Sequence, residues 1–285
     1  MLPEKIALII DSCTDVIPQY VQRFKMYTVP LLINYREGSY RDNIDITPDE
    51  VYSRFATEIP KTSLPSPSAI REVFDQAVAD GCNKAVVVSI SSGLSGTFET
   101  MQMVAKQTPE LECEVIDTKN IAIGAGFTAI QAGELIEQGV PFAKLRQHLT
   151  RFVANTKVFF CVDTLEYLKA GGRIGEVTYR VGNLLDMHPI ISCNDKGIYY
   201  TVKMARGRKH SIKKLVDLAR KFSEGFSRYN IAVMHADAHD EAEGILTQLR
   251  EHFPRAQAVI RGQISPALIV HTGPGLVGIG VQGLA

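Results

Sequence analysis

Several things are scarce in this sequence, and each scarcity removes a class of function. Charge of one sign is not in excess: Lys+Arg and Asp+Glu stand at 31 each. A nucleic-acid binder usually carries a basic surplus, so a DNA-binding regulator is disfavoured. No apolar run reaches the ~18 residues that mark a transmembrane helix. The start, MLPEK, is no basic n-region, and the apolar run IALII meets Asp11 after five residues, so no signal peptide is expected. The five cysteines, Cys13, Cys82, Cys113, Cys161 and Cys193, form no CxxC pair and are odd in number. Free thiols in a reducing cytoplasm are expected, with neither disulfides nor a zinc site. Internal repeats and low-complexity tracts are lacking.

What is there reads as globular. The 285 residues are 45% hydrophobic and 22% charged, enough for one large core or two smaller ones. In the first half, strand runs at 6–10, 26–34, 84–90 and 113–117 alternate with helical stretches at 16–24, 47–56, 69–81, 97–107, 126–139 and 142–155. That alternation predicts a parallel sheet covered on both faces. Thr47 before Pro48, with Asp49 and Glu50 following, is a helix start with its own cap. Between helices, KTSLPSP (61–67) reads as loop, with Ser66 a cap before Pro67.

The second half is less regular. Strands are expected at 157–163, 188–193, 197–205, 229–236 and 256–261, and helices at 165–172, 211–225 and 240–253. Asn194-Asp195-Lys196 joins two of the strands as a hairpin turn. After the 264–270 segment a turn leads into a terminal strand. The fold class is therefore α/β: an N-terminal parallel-sheet domain, 1–157, packed on a C-terminal α+β domain with a mixed sheet, 158–285.

Ligands of open parallel sheets sit at the carboxyl ends of the strands. Segments placed there are DSCTD (11–15), TSLPSP (62–67), SSGLSGT (91–97) and DTKNIAIGAG (117–126). They are rich in Ser, Thr and Gly and poor in bases, which suits donation to an anion better than proton abstraction. SSGLSGT has no Lys, so it is no Walker A loop. Gly93-Leu94-Ser95-Gly96-Thr97 departs from GxSxG at its last position. Two readings stay open: a helix N-terminus favouring a carboxylate or phosphate by roughly 0.3–2 kcal/mol, or a plain cap by Ser95 or Thr97. Gly171 and Gly172 are expected in left-handed cap conformation, leaving Arg173 on a tight turn facing an anion, a partner or solvent. The two GxGxxG matches within 273–283 lack the strand and helix that such a motif needs. His235, Asp237 and His239 share one strand face only if the strand passes Ala236, so a metal there is disfavoured.

As an ordered set, DSCTD, TSLPSP, SSGLSGT, YLKAGGRIG and HTGPG resemble the DegV family of bacterial fatty-acid-binding proteins, from about residue 5 to the C-terminus. The resemblance implies a long-chain fatty acid between two domains, its tail in an apolar tunnel and its carboxylate at a polar end. It implies no catalytic residue, metal or cofactor in this chain. The partner it implies is a separate ATP-dependent fatty acid kinase subunit that forms the acyl phosphate for phospholipid metabolism, with transient membrane contact allowed. By motif position Thr62, Ser63, Ser95 and Gly96 match the carboxylate contacts. His271 and Thr272 of HTGPG lie near the head group, and Arg173 and His271 match exposed residues that engage head group or kinase. Leu64 departs from the Gln that many relatives carry, which puts the pocket mouth in doubt. Hydroxyls and a helix N-terminus can hold a carboxylate without a base. Burial of each CH₂ contributes about 0.8 kcal/mol, so a ~16-carbon tail can outweigh its ordering cost. The competing reading is a serine acyl-ester hydrolase with Ser95 as nucleophile and His271 as base.

Overall fold

The computed structural model describes residues 4–177 and 186–284. The first part of the chain runs β1 (Ile6–Asp11), a 3-10 turn (Ser12–Thr14), α1 (Pro18–Arg23), β2 (Tyr27–Val29), β3 (Leu32–Tyr35), β4 (Gly38–Arg41) and α2 (Pro48–Arg54). Next come β5 (Lys61–Ser63), α3 (Pro67–Ala79), β6 (Lys84–Ser89), α4 (Thr97–Lys106), β7 (Glu112–Asp117), α5 (Ile123–Glu137) and α6 (Phe142–Ala154). The remainder is β8 (Thr156–Cys161), α7 (Glu166–Ala170), β9 (Met187–Cys193), β10 (Tyr199–Arg206), α8 (Arg208–Ser223), β11 (Tyr229–Ala236), α9 (His239–His252), β12 (Ala256–Gln263), α10 (Pro266–Thr272) and β13 (Leu276–Gly283).

The buried runs at β1 and β6 build the expected parallel sheet, in the order β2-β1-β6-β7. One row of partners, Tyr27–Ile9–Val87–Val115, crosses all four strands. Helices α3 and α4 cover one face through Ile70, Phe74 and Met101, while α5 and α6 cover the other. The mixed sheet is also present, in the order β10-β9-β8-β13-β11-β12. Among its described strands β11 and β12 pair in parallel and the other pairings are antiparallel. Helices α8 and α9 close its outer face with Leu215 and Leu249. Its inner face packs on α5.

That helix is the hinge of the architecture. From Ile123 to Gly133 every residue of α5 is buried, as expected for a helix apolar on all sides. Its small residues let neighbours come close: a Cβ on Gly126 would overlap Thr14 O, and one on Gly124 would lie 2.8 Å from Asn120 Oδ1. The expected start at 126 is too late, because glycines at 124 and 126 resemble loop. Tertiary packing overrides that propensity.

Other expectations are corrected. The 26–34 run is two strands in different sheets, split at Pro30, which cannot donate to a ladder. Residues 61–63, expected as loop, form edge strand β5 against β3, within a third, antiparallel sheet β4-β3-β5. The 264–270 segment is helix α10, announced by Ser265-Pro266, the same signal that opens α3. Of the two glycines after α7, only Gly172 is left-handed (φ 70°); Gly171 has φ −78°. Thr47 does cap α2, reciprocated by Glu50 in a capping box. β11 ends at Ala236, so His235 and His239 lie on different elements. Among the described residues no group of three His, Cys, Asp or Glu is placed to hold a metal ion. Among them, too, no helix is long and apolar enough to cross a membrane.

Candidate functional site

The loop 91–96 leaves the carboxyl end of β6 and is tied down on two sides. Ser91 N–H donates to Asn120 O (2.8 Å), and Ser91 Oγ donates to Gly197 O (2.9 Å). Gly93 N–H donates to Ser91 Oγ (3.0 Å). Ser95 closes the loop, its Oγ 2.8 Å from Thr97 Oγ1. Thr97 N–H reaches Ser95 Oγ only at 3.4 Å, a long bond for a cap. Gly96, the formal N-cap of α4, contributes no side chain and is exposed.

Opposite this loop, β5 presents Thr62 and Ser63. Thr62 pairs with Ile33 of β3, which orients its side chain toward α10. Its Oγ1 lies 2.6 Å from His271 Nε2, although the two residues are 209 apart in sequence. Ser63 Oγ accepts from Asn34 Nδ2 (3.1 Å). His271 is buried near the end of α10. Burial, then the Arg173 guanidinium, pushes its pKa down to about 4, so the imidazole is neutral at neutral pH. Gly171 is required here for space, not for conformation. A Cβ on it would overlap His271 Nδ1 and lie 2.8 Å from Cε1. Arg173, two residues on, is fixed by donation from Nη1 to Gly171 O (2.7 Å) and from Nε to Leu94 O (3.3 Å).

These pieces enclose one cavity. Thr62, Ser63, Ser95, Arg173 and His271 all line a space of about 40 Å³, with Cys13, Leu31, Leu64, Ile90 and Leu94. Arg173 is the one charged side chain on its wall among the described residues. Burial, followed by the charges of Asp42, Asp11 and Asp15, holds the Cys13 thiol well above its ordinary pKa, so it stays protonated. Ile121, Tyr199 and Leu268 form a partition shared with a second chamber, also about 40 Å³. That chamber is walled by Ile123, Val158, Phe160, Met234, Leu276 and the backbone of Gly278 and Gly280. Thr272 lines this apolar side, where its Oγ1 donates to Leu268 O (3.1 Å). The structure thus gathers five of the residues singled out in the sequence at one cavity; Gly96, next to Ser95, is not among its wall residues, and Thr272 lines the chamber behind it.

A hydrolase would need Ser95 and His271 hydrogen-bonded, with a carboxylate behind the imidazole. Each instead partners a threonine, Thr97 and Thr62. No carboxylate lines the cavity among the described residues, and His271 Nδ1 has no partner there. The arrangement is one of fixed donors around a cation, continuous with apolar volume.

Known proteins share this architecture. The family model described as an uncharacterised protein of the DegV family matches residues 5–283. The chain belongs to the DegV family. A DegV domain-containing protein of Clostridium acetobutylicum is 39% identical, covering 97% of this chain and 98% of its own. Among solved structures, a fatty-acid-binding DegV family protein from Thermus thermophilus superposes with a TM-score of 0.92 at 28% identity, over 98% of this chain and 100% of that one. A stearic acid-binding protein from Eubacterium ventriosum gives a TM-score of 0.88 at 27% identity, over 98% of each chain.

Part of the cavity wall carries no mark in the sequence. Cys13 and Ile121 lie within DSCTD and DTKNIAIGAG, but nothing local marks them as wall residues. Tyr199 and Leu268 carry no local signal at all. They meet only because the edge strand β10 of the mixed sheet and α10, packed beside β3 and β5, come to the same cavity.

Proposed function

We propose that this chain binds a long-chain fatty acid between its two expected domains, 1–157 and 158–285, with the carboxylate in the polar cavity and the tail in the apolar chamber. One observation carries the reading: the cavity whose one charged wall residue, among the described residues, is Arg173 shares Ile121, Tyr199 and Leu268 with a chamber of apolar walls. Ser63, Ser95 and the Thr62–His271 pair, which has one hydrogen left after its own bond, supply hydrogen bonds to the carboxylate, each worth about 1.5–3 kcal/mol to a charged acceptor. The tail gains about 0.8 kcal/mol per CH₂ against an association cost of ~4–15 kcal/mol. Ligand sites usually measure ~300–1,000 Å³, so the partition side chains part as the tail enters. The solved neighbours named as fatty-acid-binding support this ligand class. The test is to denature the purified protein, extract it with organic solvent and weigh the extract by mass spectrometry. A stoichiometric long-chain acid is expected. Its absence, with no uptake of added oleate or palmitate, ends the proposal.

The second half of the proposal is that the carboxylate is presented to a separate ATP-dependent kinase subunit for acyl-phosphate formation. The residues support it by what they lack: SSGLSGT has no phosphate-binding Lys, and no acid–base pair lines the cavity among the described residues. If Arg173 serves the kinase and the tail holds the lipid, Arg173→Ala keeps the bound lipid and loses kinase-dependent phosphorylation. Loss of the lipid from a folded variant would instead assign Arg173 to the ligand alone.

A further inference from the structure

The DSCTD segment carries two buried carboxylates, neither of which lines the head-group cavity. Asp11 serves the β6 side. Its Oδ2 accepts Ser89 Oγ (2.9 Å) and Ile90 N–H (2.8 Å), and its Oδ1 accepts Cys13 N–H (3.0 Å). Asp15 reaches the other way. Its Oδ1 accepts Ser265 N–H (3.1 Å). Asp42, just past β4, does the same for Ala267 N–H (3.0 Å). Those two N–H groups belong to the start of α10, and Pro266 between them has none to offer. First-turn N–H groups have no partner within their own helix and are costly to bury unpaired. α10 has no side-chain cap of its own. Two carboxylates from distant parts of the chain do that work.

The other end of α10 carries His271. At 1.5 Å rise per residue, Ala267 and His271 are only about 6 Å apart along the axis. So short a helix moves as one body. His271 has little slack, held between Thr62 Oγ1 and the space that Gly171 leaves open. We infer that Asp15 and Asp42 are positioning residues of the head-group site, which fix α10 by its first-turn N–H groups and so set where His271 meets Thr62. The affinity part of the test rests on the fatty-acid reading; the placement part does not.

The experiment compares Asp15→Ala and Asp42→Ala with Asp15→Asn and Asp42→Asn, which keep an acceptor at the same point. Leu249→Ala, in the core beneath α9, serves as a destabilised control away from α10. The readouts are the ¹⁵N resonances and titration of His271 in ligand-free protein, and the affinity for oleate. The alanine variants are expected to move the His271 pKa up from about 4 toward its ordinary 6.5, and to weaken oleate binding about ten-fold or more. The asparagine variants and the Leu249 control leave both near wild type. A folded alanine variant with wild-type His271 behaviour overturns the assignment. Should an alanine variant not fold, its asparagine counterpart decides: an unchanged His271 supports the acceptor role and a displaced one overturns it. Wild-type protein that takes up no oleate would sink the ligand reading while leaving the His271 comparison intact.

Discussion

Gly171 and Gly172 are adjacent, yet the structure gives them opposite reasons to be glycine, and one pair of substitutions separates these. Gly171 has an ordinary φ of −78°, so alanine is conformationally allowed. Its Cβ, however, would overlap His271 Nδ1 and sit 2.8 Å from Cε1 and 3.2 Å from Cγ. The ring has to move. Overpacking of this kind costs about 1–3 kcal/mol, and the His271–Thr62 bond, worth about 0.5–1.5 kcal/mol, goes with it. Lower unfolded-state entropy offsets about 0.4–1 kcal/mol. The net is a loss of roughly 1–3 kcal/mol, or about 2–4 °C in Tm per kcal/mol for a chain of comparable size. Gly172 has φ 70°, and a Cβ added to it would meet no atom within 4 Å. Alanine there costs only the left-handed backbone penalty, about 1–2 kcal/mol. Stability alone therefore does not distinguish the two variants; the site does. Oleate titration is expected to show about a ten-fold or greater loss of affinity for Gly171→Ala and near-normal binding for Gly172→Ala. Wild-type affinity in a folded Gly171→Ala protein, or an equal loss in Gly172→Ala, would refute the placement of His271 at the ligand.

Further outcomes follow from the same geometry. His271 is held neutral down to about pH 4, so the native state binds fewer protons than the unfolded chain between pH 4 and 6.5, and stability rises with pH across that window. Buried Asp11 and Asp42, both pushed up to about 6, act with the opposite sign between their ordinary 3.8 and 6. Buried His235, also held down to about 4, acts with the same sign as His271, and removing the share of His271 by His271→Gln should make the stability-versus-pH slope more negative by about 1.4 kcal/mol per pH unit, measured by denaturant titration from pH 4 to 6.5; an unchanged slope would mean that His271 titrates normally. Thr47→Ala breaks the capping box of α2 and is expected to cost about 1 kcal/mol with oleate affinity unchanged, by chemical denaturation and calorimetry. Ile121→Trp fills the partition between the two cavities and should weaken binding of long-chain acids far more than of short acids; equal losses would argue against the apolar chamber as the tail site.

Much of the fold was legible because it is written in local periodicity. IALII and KAVVVS are apolar runs of strand length, and between them the caps Thr47 and Ser66 mark where α2 and α3 begin. What was misread lacked a local signal or had a misleading one. β5 is three residues long and is a strand only because β3 lies beside it. α5 begins in glycines that favour loop in isolation, and its packing between two sheets reverses that preference. The meeting of Thr62 with His271 had no expression in spacing.

By itself, then, the sequence determined most of the longer strands and helices, where several helices begin, and which hydroxyl-rich loops stand at strand ends. Those properties depend on near neighbours along the chain: side-chain alternation, capping and backbone allowance. Tertiary structure alone decided that Gly171 must make room for His271, that Asp15 and Asp42 hold α10 from afar, and that Ile121, Tyr199 and Leu268 separate a polar cavity from an apolar one. These depend on distances between groups scores of residues apart, and such distances exist only once the two sheets have closed on α5.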